Sequence, residues 1–476
     1  MKDFSRLRRA FSFFSLALAA AAFVPQATAQ DPSREVVPEQ LQAGAFIAPS
    51  NLTTLDSRLL FTAFHVRHGQ ELWVTGGPGE GATLLKDLRP GFQGSFPVGQ
   101  LRWRGQVYFT ANDGLAGLEL WRTDGTPDGT SKVIDIRAGE EGSTPNAFTV
   151  FKDSLWFVAH DGASGFQLWR TGGDAESTSR VSSINAGPGA VVRQLTVAGG
   201  RMFFTATTPE HGHELWVTEG TPASTRLVRD IRPGPEDSGI QNLLAVGPDV
   251  YFTASDGVHG IELWKSDGTP QGTRLVADLA PGEAASRPAY LARLGRHVFF
   301  AAEDGRHGVE LWKTDGTAKG TSMVRDIRGG RTGSFPSYLT ELGGQLYFAA
   351  TDGVAGVELW KSDGTAAGTT LVADLAPGAA SSSPARFAVL DKQLWFSAND
   401  GSHGVEPWRT DGSRAGTRMA ADIVAGSRDS NPLRFMRHGA GTFFVAEDAA
   451  GNERLWRLPA KGEPTLVGDR LAARLR

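Results

Sequence analysis

The sequence repeatedly places two carboxylates around a glycine-containing loop, in the pattern Asp-Gly-x-x-Gly-x-Glu. The loop aspartates are Asp113, Asp161, Asp256, Asp304, Asp352, Asp400 and Asp448, and the glutamates Glu71, Glu119, Glu214, Glu262, Glu310, Glu358 and Glu406. Paired acids are the ligand type that a hard cation such as Ca²⁺ takes, which makes Asp256 with Glu262, Asp304 with Glu310, Asp352 with Glu358 and Asp400 with Glu406 the candidate metal residues. Calcium wants 6–8 oxygens, however, and each loop offers two acids with no EF-hand or nonapeptide spacing. The expectation is therefore an Asp that fixes the turn, a Glu that pairs with Lys or Arg of a neighbour, and no cofactor, with calcium as the alternative. His68, His211, His259, His307 and His403 fall at one point of the same loop. Equivalent atoms on neighbouring units stand too far apart to share a zinc ion, whose ligands lie about 2 Å away, so these histidines are expected in solvent.

No catalytic constellation accompanies these groups. The chain has no Cys, no Gly-x-Ser-x-Gly elbow, no His-Glu-x-x-His and no phosphate-binding Gly-Lys-Ser/Thr. Carboxylate pairs recur in nearly every unit, so none stands out as a glycosidase pair. No catalytic or cofactor-binding residue is assigned.

The elements that carry these residues follow from a repeat. Trp73, Trp121, Trp169, Trp216, Trp264, Trp312, Trp360, Trp408 and Trp456 are spaced by 48 residues, with a single 47. Each unit reads as four short strands, as in Tyr338–Leu342, 345–350, 357–361 and 369–375, bounded by Asp-Gly and Pro-Gly turns. Four antiparallel strands per unit of about 48 residues describe a propeller blade. A blade cannot bury both faces alone, and closing the ring removes the exposed ends. The fold expected is all-β, a closed β-propeller of nine four-stranded blades, with an eight-bladed ring as the alternative.

Within the unit, the nine tryptophans are expected to fill the gap between blades, each with its N–H bonded to a neighbour. Trp156 and Trp395 take the place of Tyr347 and should be core, whereas Trp103 near a turn should be exposed. In the Asp-Gly-Thr turn, Asp can accept from the N–H two residues on, and Gly supplies the positive φ. A further Asp recurs in the fourth strand (Asp87, Asp135, Asp230, Asp278, Asp326, Asp374, Asp422, Asp469; Ser183 in the third unit). Inside an apolar strand it would need backbone or indole N–H donors.

The string Glu-Leu-Trp-x-x-Asp-Gly-Thr stands whole at 119–126, 262–269, 310–317 and 358–365, with a near-copy at 214–221. In this the chain resembles the bacterial ELWxxDGT repeat family, exported or surface proteins of unassigned function, over roughly residues 51–470. The resemblance implies a repeat architecture and export, and brings no catalytic residues with it. Thr75-Gly76-Gly77-Pro78, Thr171-Gly172-Gly173-Asp174 and Arg454-Leu455-Trp456 depart from the pattern.

Residues 1–29 read as a signal peptide. Lys2, Arg6, Arg8 and Arg9 form a basic start, 11–24 are almost wholly apolar, and Ala27-Thr28-Ala29 is a small-residue cleavage site. Residues 30–50 read as a linker and 51–476 as one repeat domain. Without residues 1–29 the chain carries 44 basic and 51 acidic residues, a net charge of −7. That balance argues against nucleic acid and anionic membrane surfaces as partners. The expected product is periplasmic, extracellular or on the cell surface, monomeric and not inserted in the membrane. The expected function is a non-enzymatic scaffold or binding module that engages a protein or glycan through a rim or the channel mouth. The alternatives are a propeller hydrolase or lyase acting on an extracellular polymer, and a calcium-stabilised adhesion protein.

Overall fold

The computed structural model describes residues 47–75, 81–184, 189 and 191–468. The expected signal peptide, most of the 30–50 linker, the divergent turn at 76–78 and Asp469 lie outside the described residues. The first strand begins at Ile47, ahead of the boundary expected at residue 51.

Nine four-stranded antiparallel sheets follow one another, each made by one contiguous segment with its strands in chain order. The chain is a nine-bladed β-propeller, and the eight-bladed alternative falls. Among the described residues the single helical element is the 3₁₀ turn Pro222–Ser224. Blade 7 illustrates the unit: Ser337–Leu342, Gln345–Thr351, Val357–Ser362 and Thr370–Ala373. Short β-branched and aromatic runs, cut by Asp-Gly and Ser-x-Pro, leave no room for a helical period.

The second strand explains the stacking. In blade 7, Leu346, Phe348 and Ala350 pack on Phe299 and Leu311 of blade 6, together with Trp360. Tyr347 and Leu359 face the other way, onto Leu394, Phe396 and Trp408 of blade 8. Period-two alternation thus buries both faces of one sheet, and each apolar cluster belongs to two blades. The repeat tryptophans do fill the inter-blade gap, but five of their N–H groups turn inward, and those of Trp216, Trp264 and Trp408 are buried without a partner. Trp73, Trp121, Trp169, Trp312 and Trp456 donate to the carbonyls of Ala63, Ala111, Ala159, Ala302 and Ala446 in the same blade, at 3.1–3.2 Å. The partner is a cross-strand carbonyl because strand pairing places it over the indole edge. Trp156 and Trp395 are buried. Trp103 is buried too, against Tyr108 and beneath the Arg104 guanidinium, contrary to its expected exposure.

The ring closes without strand exchange. Phe443, Val445 and Leu455 of blade 9 share one cluster with Leu59, Phe61 and Trp73 of blade 1. His438 Nε2 bonds the Ser57 carbonyl at 2.9 Å, and the Ala82 N–H donates to Gly468 O at 2.8 Å. The first strand of each blade touches the first strand of the next, all the way round from Ile47–Leu55 to Leu433–His438 and back. These strands surround the central channel.

Candidate functional site

The two carboxylates of one repeat serve different partners. Asp256 Oδ1 accepts from the N–H groups of Val258 and His259, both at 2.9 Å, and its Oδ2 meets His259 Nδ1 at 2.8 Å. Asp304 with His307 and Asp400 with His403 repeat this geometry. Asp352 receives the N–H groups of Val354 and Ala355. These bonds hold Asp256, Asp304 and Asp400 below the usual carboxylate range although partial burial opposes it, and the same pairs raise the three histidines. Units 1 and 4 lack the loop Asp, and there His68 and His211 reach Asp87 and Asp230 instead, at 2.7 and 2.9 Å.

The glutamates are fully buried. They do not pair with Lys or Arg of a neighbour as expected. Glu310 accepts from the N–H groups of Ile327, Arg328 and Ser334 at 3.1, 3.2 and 2.9 Å and from the Ser334 hydroxyl at 2.6 Å. Glu119 makes the same four bonds. Glu262 and Glu358 keep three. The reason is topological. The connector leaving the blade carries up to three backbone N–H groups and a serine hydroxyl that need an acceptor, and a buried carboxylate fits them. Ser334 also receives the N–H of Thr351 in the next blade on its carbonyl. Each Glu–Ser pair is thus a stitch between consecutive blades. The serines lie 24 residues after each Glu, in Ser-x-Pro at Ser95, Ser143, Ser286, Ser334, Ser382 and Ser430. That recurrence was readable in the sequence and was missed. In blade 3 a Gln does the work: Gln167 donates to the carbonyls of Ser164 and Ile184 and accepts from Ser182 Oγ and Ile184 N.

The calcium candidates therefore sit apart by role: no partner of Asp256 is a partner of Glu262. Among the described residues no group of three or more His, Asp or Glu side chains is disposed around one point as metal ligands. The recurrent fourth-strand Asp also moves. Asp135, Asp230, Asp278, Asp326 and Asp374 each stand one residue beyond their strands. Asp278 and Asp374 accept from Gly282 N and Gly378 N at 3.4 and 3.3 Å, and the Trp264 indole N–H is buried without a partner. In the Asp-Gly-Thr turn, Asp315 Oδ1 accepts from Thr317 N at 2.9 Å. Gly412 in the equivalent turn has φ +93°, and a Cβ there would fall on the Tyr347 hydroxyl of the preceding blade.

One set of equivalent positions does not repeat chemically. Each inner strand contains a bulge whose second residue is left-handed: Asn51, Gly99, Ala147, Gln194, Asn242, Tyr290, Tyr338, Arg386 and Arg434, with φ between +50° and +70°. Gly and Asn tolerate this conformation, but for Tyr and Arg it is strained. The backbone is the same in every blade, so the side chains differ by sequence alone. Blades 1 to 5 present small or amide groups, and blades 6 to 9 present two tyrosines and then two arginines. The Tyr290 and Tyr338 rings lie 5.9 Å apart, and Tyr338 lies 5.8 Å from Phe387. Tyr338, Arg386 and Arg434 are exposed. Among the described residues Arg386 and Arg434 have no ion-pair partner closer than 4 Å. The result is an arc on the channel wall, aromatic at one end and cationic at the other.

No family model matches the chain, and no curated protein matches it. Among solved structures it is similar to a puromycin hydrolase (13% identity, 75% of this chain and 58% of that one, TM-score 0.37). It is also similar to a structure from a study of two prolyl endopeptidases (14%, 78% and 55%, TM-score 0.41). A third is the β-propeller domain of the Trilobed protease from Pyrococcus furiosus, described as having an open velcro topology (8%, 89% and 98%, TM-score 0.37). The chain spans a little over half the length of the first two. At these identities and TM-scores nothing about activity is carried over.

Proposed function

We propose that the protein is an exported, monomeric, non-enzymatic binding module, a member of the ELWxxDGT repeat family, that engages an acidic glycan at the mouth of its channel. The observation that carries this reading is the arc of Tyr290, Tyr338, Arg386 and Arg434 on nine otherwise equivalent left-handed positions. Aromatic faces pack on sugar rings, and guanidinium groups pair with carboxylates in fixed geometry. The surrounding chain is acidic overall, so a basic arc is a local exception that selects for an anionic ligand. None of the nine positions carries a carboxylate, which gives the hydrolase alternative no acid to work with there.

The test is calorimetric titration with oligogalacturonate against a neutral oligosaccharide of equal length. Saturable binding of the acidic chain is expected, weakened about tenfold or more in Tyr338→Ala and in Arg386→Ala with unchanged melting temperature. Equal binding of both sugars, or none, would overturn the reading.

A further inference from the structure

Seven consecutive blade junctions are locked by one device. A cation of one blade donates to the carbonyl of the Gly in the turn of the next. The pairs are Arg58 with Gly125, Arg122 with Gly173, Arg170 with Gly220, Arg226 with Gly268, Arg274 with Gly316, Lys313 with Gly364 and Lys361 with Gly412, at 2.6–3.2 Å. The position and residue type vary between strands, yet the acceptor is always the same carbonyl. At the eighth junction the cation is present and the bond is not made. Arg409 follows Trp408 as Lys361 follows Trp360, but blade 9 has Pro459-Ala460-Lys461 where blade 8 has Asp411-Gly412-Ser413.

Beside the residues that take that turn's place, Pro459, Ala460 and Gly462, lies a cavity of about 280 Å³. Its wall includes Arg409, Trp395, Gln393, Thr442, Arg437 and Asp391. The Arg409 guanidinium stands 5.7 Å from the Trp395 ring centre, and its Nε is buried with no partner. Arg418 faces Arg409 directly across the strand pair, a like-charge register that is destabilising without a counter-ion. Burial and Arg418 both disfavour the charge on Arg409. Asp391 does not supply the missing charge to Arg409, because it is paired with Arg437 at 2.8 Å. A half-buried cation, without the bond its seven counterparts make, lines an open polar cavity.

We propose that the cavity between blades 8 and 9 is a binding site for a carboxylate group, held by Arg409 in place of the turn carbonyl that it does not bond. A carboxylate fits better than phosphate because Asp391 shares the wall and repels a dianion more strongly than a monoanion. The planar guanidinium offers the two parallel N–H groups that a carboxylate accepts. This site shares no residue with the channel arc.

The experiment is thermal unfolding and calorimetry of the full chain with sodium glucuronate, N-acetyl-aspartate, phosphate and chloride at matched ionic strength, up to about 10 mM, where weak single-group binding registers. Saturable stabilisation by one or both carboxylates is expected, and none by chloride. The sugar acid and the amino-acid derivative separate the two sources of the group. These readings are taken in an Arg386→Ala, Arg434→Ala background, which removes the channel arc as a second anion site, and there Arg409→Gln should abolish the effect. A second variant keeps the fold and supplies the bond. Pro459→Asp, Ala460→Gly and Lys461→Thr together restore the turn, give Arg409 its carbonyl, and should raise the unliganded melting temperature while abolishing binding. Tighter binding of phosphate than of either carboxylate, no saturable effect from any anion, or carboxylate binding that survives Arg409→Gln would each overturn the proposal.

Discussion

The stitches between blades and the arc on the channel wall are built on the same repeated backbone, yet they treat repetition in opposite ways. At the stitch, the residue type recurs because the job recurs: each outgoing connector presents the same N–H groups, and a buried carboxylate answers them. On the channel wall the backbone recurs, down to a left-handed φ, but the side chains change from blade to blade. A position that repeats in type is satisfied inside the fold. A position that repeats in shape only, and keeps strained Tyr and Arg where Gly99 shows that Gly fits, is where the fold leaves room for something else.

The sharpest way to break this comparison is at the best-bonded stitch. Glu310→Ala would leave the Ile327 and Arg328 N–H groups and the Ser334 hydroxyl without their acceptor in a buried connector, while the Ser334 N–H keeps the Val309 carbonyl at 3.0 Å. A loss of about 3–5 kcal/mol is expected, read as a lower urea midpoint. A loss below about 1 kcal/mol would mean that the connectors hold without the glutamates.

The stitches differ among themselves, and pH exposes it. Burial is the largest cause in every case and pushes each Glu upward. Glu71, Glu214 and Glu406 are raised from 4.5 to about 7. Glu214 Oε2 and Glu406 Oε1 are buried without a donor. Glu119 and Glu310, with four bonds each, are raised as well, but their N–H donors favour the charged form and hold the rise back. A carboxylate whose folded pKa exceeds its unfolded value binds more protons when folded. Stability therefore falls as pH rises from about 4.5 through about 7. The rim aspartates act in the opposite sense, since Asp256, Asp304 and Asp400 are held below 3.8 and lose their contribution as the solution falls below that. The melting temperature should peak near pH 4–5 and decline toward pH 8. Glu406→Gln should flatten that decline and be neutral or stabilising at pH 8. Glu310→Gln should destabilise by roughly 2 kcal/mol, because an amide N–H₂ would face the donors that Glu310 accepts. Equal effects of the two substitutions would remove the distinction.

The channel arc predicts a smaller and opposite effect on stability. Arg386 has φ +58° and no ion pair among the described residues. Arg386→Gly relieves the left-handed strain but loosens the unfolded chain, so the net change should lie between zero and about 1 kcal/mol of stabilisation. Loss of stability by urea denaturation would mean that Arg386 supports the fold and is not kept for a ligand.

The repeat made most of the architecture legible. Trp spacing gave the blade count, and Asp-Gly turns bounded the strands. The functional chemistry was less so, for identifiable reasons. Glu310 read as an acid paired with a neighbour's Lys or Arg because its neighbours in sequence, Val309 and Leu311, do not reveal that its partners lie 17 to 24 residues on. The Ser-x-Pro recurrence pointed to them, but Pro reads first as a strand boundary. Asp278 read as a strand residue because the apolar run before it gave no sign of where pairing stops. The channel arc was invisible for the opposite reason: a search for repeats passes over positions that fail to repeat. Arg409 could be flagged only after its counterparts were seen to share one carbonyl.

The rim loop sets the last and mildest test. Asp256 uses both oxygens on its own loop, through Val258 N, His259 N and the His259 ring. A calcium ion would have to displace those donors and find most of its 6–8 oxygens elsewhere. Excess calcium or chelator should therefore leave the melting temperature unchanged, and Asp256→Ala should cost about 1 kcal/mol, the value of a partly exposed turn-forming bond set. Asp278→Ala, which removes a single 3.4 Å contact from an exposed side chain, should cost less still. An upward shift of several degrees with calcium that is lost in Asp256→Ala would return this loop to the metal-binding role its sequence first suggested, because only a ligand bound to the folded state can raise the transition in that way.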